Sequence, residues 1–452
     1  MSIMFVSLRD IRRYFRRNSY INYVSILSSP FAPSISILAP MYNEEKNAIS
    51  SIRSLLSNHY VNYNIIIIND GSTDSTLELL ISTFSLKKIE HTINQKIETK
   101  KVKAIYKSTN GAYEKLIVID KEQGGKSDAL NAGLNFSESD YVLSIDGDCI
   151  LAEDSLQKMI KPFMEYTDKT VVASGGVVRI ANGCEIKDGR LVEKRLPTPF
   201  VLRFQILEYL RSFLLARVGW TRCKGLMHIT GAFGIFELEK AIIVGGYNKD
   251  TLGEDMDIIV KIQRYMYETK QKFKVAYIPD PLCWTEAPSD YKSLSRQRKR
   301  WTRGNIKTLW DHRKIFFNPK YGLMGMLGYP VWILYERFGP IIELIGIVYF
   351  ICASYLGHVN WLYTISFLIA TYLFAIMYSL LAILTEEVTY HQYKKKGDLT
   401  KLILTIFMEP FTYHVFLLYP ALLGNIAQLF KFKKKWGRIE REGFQTTNIG
   451  QL

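Results

Sequence analysis

The chain contains 452 residues, of which 48% are hydrophobic and 22% are charged, and its formal net charge is +15. This composition excludes an intrinsically disordered protein, because the apolar side chains suffice for a large core. The five cysteines lack the spacing of a zinc site or a disulfide framework, which predicts a reducing, cytosol-facing domain. Positive charge suits anionic lipid, anionic substrates or nucleic acid, but we expect no nucleic-acid partner because no RNA-binding signature is present.

The chain begins with a basic segment, residues 1–33. This segment lacks the apolar core and the cleavage site of a secretory signal. We interpret it as an amphipathic helix at a membrane surface, and an ordinary solvated basic helix is the alternative. Its arginines are Arg9, Arg12, Arg13, Arg16 and Arg17.

Residues 34–315 have the pattern of an α/β domain. Continuous apolar runs indicate strands that are buried on both faces, and polar or acidic residues open the helical stretches between them. This alternation predicts a mostly parallel sheet. The predicted strands cover residues 34–39, 65–68, 116–119 and 141–145.

Polar residues directly follow three of these strands, at the edge where open α/β sheets bind ligands. They are Asp70 after the second strand, Asp120 and then Gly124-Gly125-Lys126 after the third, and the pair Asp146 and Asp148 after the fourth. Two carboxylates separated by one glycine provide the oxygen ligands that Mg²⁺ or Mn²⁺ prefers, and a diphosphate completes the coordination. The alternative is that these are ordinary turn residues and a solvated lysine.

Three carboxylates lie within four positions further along the chain, and Glu254 and Asp255 are the first two. Crowding of like charges raises the pKa of at least one carboxylate, which suits a general base that takes a proton from a sugar hydroxyl. The alternative is a helix N-terminus stabilised by acidic residues.

A basic cluster that includes Gln297, Arg300 and Trp301 precedes the first membrane-type segment. An arginine guanidinium binds phosphate oxygens in a planar, bidentate way, and an indole ring offers a flat face to a sugar. The alternative is an anchor for lipid headgroups.

The rest of the chain has the composition of a membrane region. We predict an interfacial segment at residues 316–337, a transmembrane region at 338–430 and a basic tail at 431–452. Within the transmembrane region, the runs 338–356 and 361–384 approach or exceed the roughly 20 residues that cross a bilayer.

A third apolar run, residues 402–430, contains Glu409 and Pro410. It is compatible with a kinked span, a tight hairpin or a re-entrant segment. Basic residues on both sides favour an even number of crossings. We therefore expect a multi-pass protein of the cell membrane with its catalytic domain in the cytoplasm.

The order of the motifs resembles that of family 2 glycosyltransferases inserted in membranes, such as cellulose, hyaluronan and poly-N-acetylglucosamine synthases. The resemblance covers about residues 34–305 and implies a GT-A type nucleotide-sugar-binding domain followed by interfacial and transmembrane helices. It also implies a UDP-sugar donor, a glycan acceptor, and Mg²⁺ or Mn²⁺ as cofactor. The matching motifs are Pro40-Met41-Tyr42-Asn43-Glu44-Glu45, Asp70-Gly71-Ser72-Thr73-Asp74, Asp146-Gly147-Asp148, Glu254-Asp255, and Gln297 with Arg300 and Trp301.

The resemblance further implies a role for each matching residue. Asp146 and Asp148 would coordinate the metal, and Asp255, beside Glu254, would be the catalytic base. Trp301 would line the acceptor site. Many members of the family have Thr where this chain has Gly253. The residues of the donor site would be Pro40, Tyr42, Glu44, Asp70, Lys126, Asp146, Gln297 and Arg300.

The sequence thus predicts an inverting enzyme that extends a β-linked polysaccharide of hexose or hexosamine units. The alternative is a non-processive membrane glycosyltransferase that acts on a lipid or a short oligosaccharide. The lipid bilayer is an expected partner in both cases, and the need for an accessory subunit stays open.

Overall fold

The computed structural model describes residues 2–18, 32–165, 168–430 and 443. The predicted basic tail, residues 431–452, lies outside the described residues except for Gly443. All four predicted strands are present, with ends that differ by at most two residues. The strands are β1 (Ile35–Met41), β2 (Tyr63–Asn69), β3 (Leu86–Ile89), β4 (Val102–Ser108), β5 (Leu116–Lys121), β6 (Tyr141–Ile145), β7 (Cys149–Leu151), β8 (Thr170–Ile180), β9 (Glu185–Lys187), β10 (Arg190–Glu193), β11 (Phe233–Glu237) and β12 (Phe273–Thr285).

One mixed sheet has the strand order β3-β4-β5-β2-β1-β6-β11-β8-β12-β7, and β9 pairs with β10 beside it. The centre of the sheet, β5-β2-β1-β6, is parallel as predicted. Antiparallel strands flank this centre on both sides. The register aligns Asn69 with both Met41 and Asp120, so these three strands finish at one edge.

The helices pack against this sheet and then continue into the apolar region. Residues 65–68 of β2 are fully buried, which requires cover on both faces of the sheet. The helices are α1 (Ser2–Asn18), α2 (Ala48–Leu56), α3 (Thr76–Thr83), α4 (Lys126–Phe136), α5 (Ser155–Glu165), α6 (Phe200–Tyr209), α7 (Arg217–Arg222), α8 (Leu238–Ile243), α9 (Glu254–Glu268), α10 (Tyr291–Asp311), α11 (Met324–Tyr355), α12 (Trp361–Thr389), α13 (Asp398–Met408) and α14 (Tyr413–Leu429).

Of the predicted N-terminal segment, residues 19–31 lie outside the described residues, and residues 2–18 form helix α1. Its apolar face is buried against the protein, with Met4 and Ile11 at most 5% exposed. The hydroxyl of Ser7 donates a hydrogen bond of 2.7 Å to the carbonyl of Leu215. All five arginines are exposed on the other face. The helix is therefore docked, and its position at a membrane surface stays a prediction.

Two helices, α11 and α12, are long and apolar enough to cross a membrane, judged by length and composition. They contain the two predicted spans. Helix α11 begins at Met324, so most of the predicted interfacial segment belongs to the same continuous helix as the span. The predicted boundary at residue 337 has no break in the backbone.

The third apolar run forms α13 and α14, which meet at Glu409–Phe411 with a bend of 50°. A tight hairpin would bring its two helices antiparallel, so this bend excludes the hairpin. A broken span and a re-entrant segment remain.

Buried ion pairs join the apolar helices to the α/β domain. Arg211 donates two hydrogen bonds of 2.8 Å to Glu409 and one of 2.7 Å to Ser379 on α12. Arg179 of β8 pairs with Glu386 near the end of α12. Because a buried charge without its partner is costly, these pairs fix where the apolar helices sit on the domain.

Candidate active site

The loops after β1, β2 and β6 meet at the predicted edge of the sheet. The backbone N–H of Asn43 donates to Ser72 Oγ at 3.1 Å, and the Thr73 N–H donates to Asn43 Oδ1 at 2.8 Å. Gly147 lies so close to the first loop that a Cβ would be 3.2 Å from Met41 Cγ and 3.3 Å from the Pro40 carbonyl oxygen. A methyl group at this position would force the first loop to shift by a few tenths of an ångström, so packing favours glycine between the two aspartates.

Asp70 is 3% exposed and binds the loop that leads into α4. One of its carboxylate oxygens accepts a hydrogen bond of 2.9 Å from the Gly124 N–H, and the other accepts one of 2.7 Å from the Gly125 N–H. The buried ammonium of Lys121 lies 2.7 Å from Asp70 and 2.7 Å from Asp128. Asp70 thus shapes the loop before Lys126, and its direct contact with a nucleoside stays a prediction.

Lys126 connects the metal-type pair to the acidic cluster. Its Nζ lies 2.6 Å from Asp146 Oδ1 and 3.2 Å from Glu254 Oε1, although these residues come from three different elements. Burial alone would lower the pKa of Lys126, but the two carboxylates outweigh burial and raise it. The lysine is therefore firmly charged, and it is not the solvated helix-start residue of the alternative reading.

Asp146 and Asp148 differ in exposure. The side chain of Asp146 is 33% exposed, whereas Asp148 is 2% exposed and accepts a hydrogen bond of 3.5 Å from Thr285 Oγ1. Asp146 already holds a cation, the Lys126 ammonium. Within the described ranges, no group of three or more His, Cys, Asp or Glu side chains forms a metal site. Two carboxylates therefore fit a hard divalent ion only if a diphosphate and water supply its other ligands.

Glu254 and Asp255 are the first two residues of α9, and their pKa values are shifted in opposite directions. Burial, with the charge of Asp255 beside it, raises the pKa of Glu254, although Lys126 opposes this rise. Burial also acts to raise the pKa of Asp255, but His228 and Lys126 outweigh it and lower the pKa below its usual value. The predicted upward shift is present, but on Glu254, because Asp255 has gained a partner that the sequence did not reveal. Asp255 therefore lacks the raised pKa expected of the base, and its role as the base stays a prediction from the family resemblance.

That partner is His228, which sequence reasoning missed. Its Nε2 lies 2.7 Å from Asp255 Oδ2. The only sequence signal was its place two residues before the small-residue turn Thr230-Gly231-Ala232. In the structure this turn touches the acidic cluster, because a Cβ on Gly231 would lie 2.7 Å from Asp255 Oδ2.

Helix α10 brings the basic cluster to the same place. Arg300 is within electrostatic range of Glu254. The ring of Trp301 lies under the guanidinium of Arg298 at 4.2 Å, and Arg298 pairs with Glu208 through hydrogen bonds of 2.8 and 2.9 Å. The contact with α6 thus fixes the face that carries Trp301, while Gln297 is partly exposed on the same helix.

Seven of the predicted site residues lie in contact with or beside one another at this edge of the sheet. Direct contacts or charge interactions join Lys126, Asp146, Glu254, Asp255 and Arg300. Tyr42, 43% exposed, and Glu44, whose Cγ would be 3.6 Å from a Cβ on Gly147, border this set at the first loop.

The sequence matches the family described as "Glycosyl transferase family 2" over residues 36–213. It also matches the family described as "Glycosyl transferase family group 2" over residues 141–419, which is more than half of the chain. The chain belongs to the family 2 glycosyltransferases.

This glycosyltransferase is similar to curated members of the family. It is 27% identical over 357 residues to poly-beta-1,6-N-acetyl-D-glucosamine synthase of Staphylococcus aureus (strain COL), an alignment that covers 79% of this chain and 71% of that protein. It is 26% identical over 275 residues to the synthase of that name from Staphylococcus epidermidis, covering 61% of this chain and 55% of that protein.

The fold of this glycosyltransferase is also similar to that of a solved structure. The mannosyltransferase PcManGT from Pyrobaculum calidifontis, solved with GDP-Man and Mn²⁺, superposes with a TM-score of 0.51. The superposition covers 95% of this chain and 100% of that one at 14% sequence identity. The prediction of a GT-A type fold followed by apolar helices is thereby confirmed.

Proposed function

We propose that this family 2 glycosyltransferase is an inverting enzyme that transfers a sugar from a UDP-sugar to a growing β-linked polysaccharide. The observation that carries the proposal is the contact of Lys126 with both Asp146 and Glu254. This contact joins a donor-type edge of the sheet to an acidic pair suited to act on an acceptor. The similarity to poly-N-acetylglucosamine synthases over 79% of this chain supports an N-acetylhexosamine as the sugar.

The donor side of the site is rich in groups that suit a diphosphate. Asp146 and Asp148 would hold Mg²⁺ or Mn²⁺, which, when bound, stabilises the negative charge that develops on the leaving group. Lys126 and Arg300 supply fixed positive charge at the same place. Gln297 would also contact the diphosphate, and Pro40, Tyr42 and Glu44 would border the nucleoside. Asp70 would act by holding the loop before Lys126.

The acceptor side would begin at Asp255. In the proposed step, Asp255 takes the proton of an acceptor hydroxyl, the hydroxyl oxygen forms a bond to the anomeric carbon, and the bond from this carbon to the diphosphate oxygen breaks. The nucleoside diphosphate leaves with the bonding electrons. A base on the face opposite the leaving group gives inversion at the anomeric carbon. Trp301 would stack on the acceptor sugar.

The membrane is part of the proposal. Residues 34–315 would be the cytoplasmic catalytic domain, residues 316–337 an interfacial segment that includes the first part of α11, and residues 338–430 the membrane region of a multi-pass protein. The exposed arginine face of α1 and the basic tail would lie at the cytoplasmic surface, as the positive-inside tendency favours. The bilayer is then a partner of the enzyme together with the UDP-sugar and the glycan.

The test uses the full chain in detergent with a panel of UDP- and GDP-sugars, with Mg²⁺, Mn²⁺ or a chelator. Nucleotide diphosphate release and product size are measured together. We expect release from one UDP-N-acetylhexosamine, loss of release with the chelator, and a high-molecular-weight product that a β-specific glycosidase degrades. Short or lipid-linked products would establish the non-processive alternative. Release only after a second protein is added would establish an accessory subunit.

A further inference from the structure

His228 lies between two charged side chains. Its Nε2 is 2.7 Å from Asp255 Oδ2, and its Nδ1 is 3.4 Å from a guanidinium nitrogen of Arg217 at the start of α7. The side chain of His228 is 19% exposed and that of Asp255 is 24% exposed. The pair is therefore sheltered but open on one side.

The neighbours of His228 select one tautomer. Arginine has only donors, so His228 Nδ1 accepts from Arg217. The proton of a neutral ring is then on Nε2, and it points to a carboxylate that can only accept. His228 thus donates a hydrogen bond to Asp255 without needing a charge of its own.

Other elements restrict the ring and the carboxylate. The indole of Trp332 on α11 meets the ring edge to face, with centroids 6.2 Å apart. Glu336, one turn further along α11, is within electrostatic range of His228. The second oxygen of Asp255, Oδ1, accepts a hydrogen bond of 2.8 Å from the Met256 N–H. Together these contacts leave the carboxylate of Asp255 one orientation.

We propose that His228 is a positioning residue for acceptor deprotonation, because its Nε2–H holds the carboxylate of Asp255 in the orientation from which it takes the hydroxyl proton. The proposal rests on the role proposed above for Asp255. Within the described part of the chain, the side-chain contacts of His228 are with Asp255, Arg217 and Trp332, and not with the metal-type pair Asp146 and Asp148. We therefore expect replacement of His228 to change the rate of the chemical step and to leave donor binding unchanged.

The consequence for pH dependence follows from the charge of Asp255. The base acts when it is deprotonated, so activity is lost as pH falls through its pKa. Burial acts to raise the pKa of Asp255, whereas the hydrogen bond from His228 lowers it. Removing the imidazole therefore raises the pKa of Asp255, and the acid limb of the pH profile moves to higher pH. Lys126 and Glu254, the other charged neighbours of Asp255, remain in such a variant.

The experiment compares His228→Leu and His228→Ala, which lack a donor, with His228→Gln, which keeps one. Turnover and donor KM of the full chain are measured from about pH 3 to pH 9 with the UDP-sugar that the wild type uses, because the lowered pKa of Asp255 places the wild-type acid limb in the acidic part of this range. We expect kcat of the donor-less variants to fall about 10- to 100-fold, as for a lost hydrogen bond to a charged group, with donor KM unchanged. Their acid limb moves to higher pH, and the kcat of His228→Gln stays within about 10-fold of wild type.

The matched control is His312→Leu. His312 Nε2 lies 3.0 Å from Asp257 Oδ1, a similar pair two residues further along α9. We expect this variant to lose stability and to keep the wild-type acid limb. The proposal is overturned if a folded donor-less His228 variant has the acid limb and kcat of wild type, or if its donor KM rises while kcat is kept. Full turnover of Asp255→Asn would instead refute the proposed function.

Discussion

Replacing Gly304 with alanine tests whether the contact between α10 and the start of α9 sets the geometry of the active site. A Cβ on Gly304 would lie 2.5 Å from Gly253 N and 2.6 Å from Leu252 C, and both are backbone atoms that have little freedom to move. Ordinary contact begins at 3.4 Å, so the two helices would have to separate by roughly 0.9 Å.

This separation acts directly on the proposed chemistry. Gly253 immediately precedes Glu254 and Asp255, and Arg300 lies one helical turn before Gly304. A displacement of about 1 Å in a catalytic site can reduce the rate about 100-fold, and overpacking destabilises a fold by about 1–3 kcal/mol. We therefore expect the turnover of Gly304→Ala to fall about 100-fold while most of the protein still folds.

The matched control is Gly346→Ala on α11, where a Cβ would meet no atom within 4 Å. Both substitutions replace a glycine inside a helix, so both gain about 0.5–1 kcal/mol of helix propensity. Nucleotide diphosphate release and thermal unfolding are measured for both variants in detergent. If Gly304→Ala turns over as fast as Gly346→Ala, the contact does not set the site and the reasoning is wrong.

Three further predictions concern residues around the site. Lys121→Met leaves the buried carboxylates of Asp70 and Asp128 without their cation, so we expect the free energy of unfolding to fall by about 3–5 kcal/mol. The control, the exposed Lys103→Met, should have little effect, and equal unfolding midpoints for the two variants would contradict the prediction. Glu409→Gln leaves Arg211 without its carboxylate partner. A double-mutant cycle with Arg211→Met should give a coupling energy of about 1–3 kcal/mol in the free energy of unfolding. If the two single substitutions have additive effects on this free energy, the two side chains do not interact. Replacing the exposed arginines of α1 by glutamine should weaken the free energy of binding to anionic vesicles by about 1 kcal/mol for each arginine replaced. Unchanged binding would contradict the interpretation of α1 as a membrane-surface helix.

The centre of the fold could be predicted from the sequence because its signals are local. Four apolar runs predicted strands whose ends differ from the observed ends by at most two residues. The signal is local because a strand that is buried on both faces must be apolar throughout. Parallel strands finish at one edge, so Lys126 and Asp146 could be placed together before their contact was seen. Asn110-Gly111 between two strand-like runs also predicts the antiparallel hairpin of β4 and β5, whereas β11, on the other side of the centre, has no comparable local signal.

What the sequence left open depends on contacts between distant segments. His228 and Asp255 are 27 positions apart, and a lone histidine has no periodicity that reveals its partner. The substitution of Gly253 for the threonine of many family members has a physical reason in Gly304, 51 residues later. The docking of α1 depends on contacts with residues far along the chain, such as that of Ser7 with Leu215. The sequence of α1 alone does not reveal these partners.

The central claim, that Asp255 is the base of a UDP-sugar transfer, is tested most directly by comparing donor binding with turnover in Asp255→Asn. Binding of UDP to the full chain is measured calorimetrically, and nucleotide diphosphate release is measured on the same preparation, with the exposed Asp168→Asn as control. We expect UDP affinity close to that of wild type and turnover reduced by about 10²- to 10⁴-fold, with the control unchanged in both. Turnover of Asp255→Asn within a few-fold of wild type would contradict it.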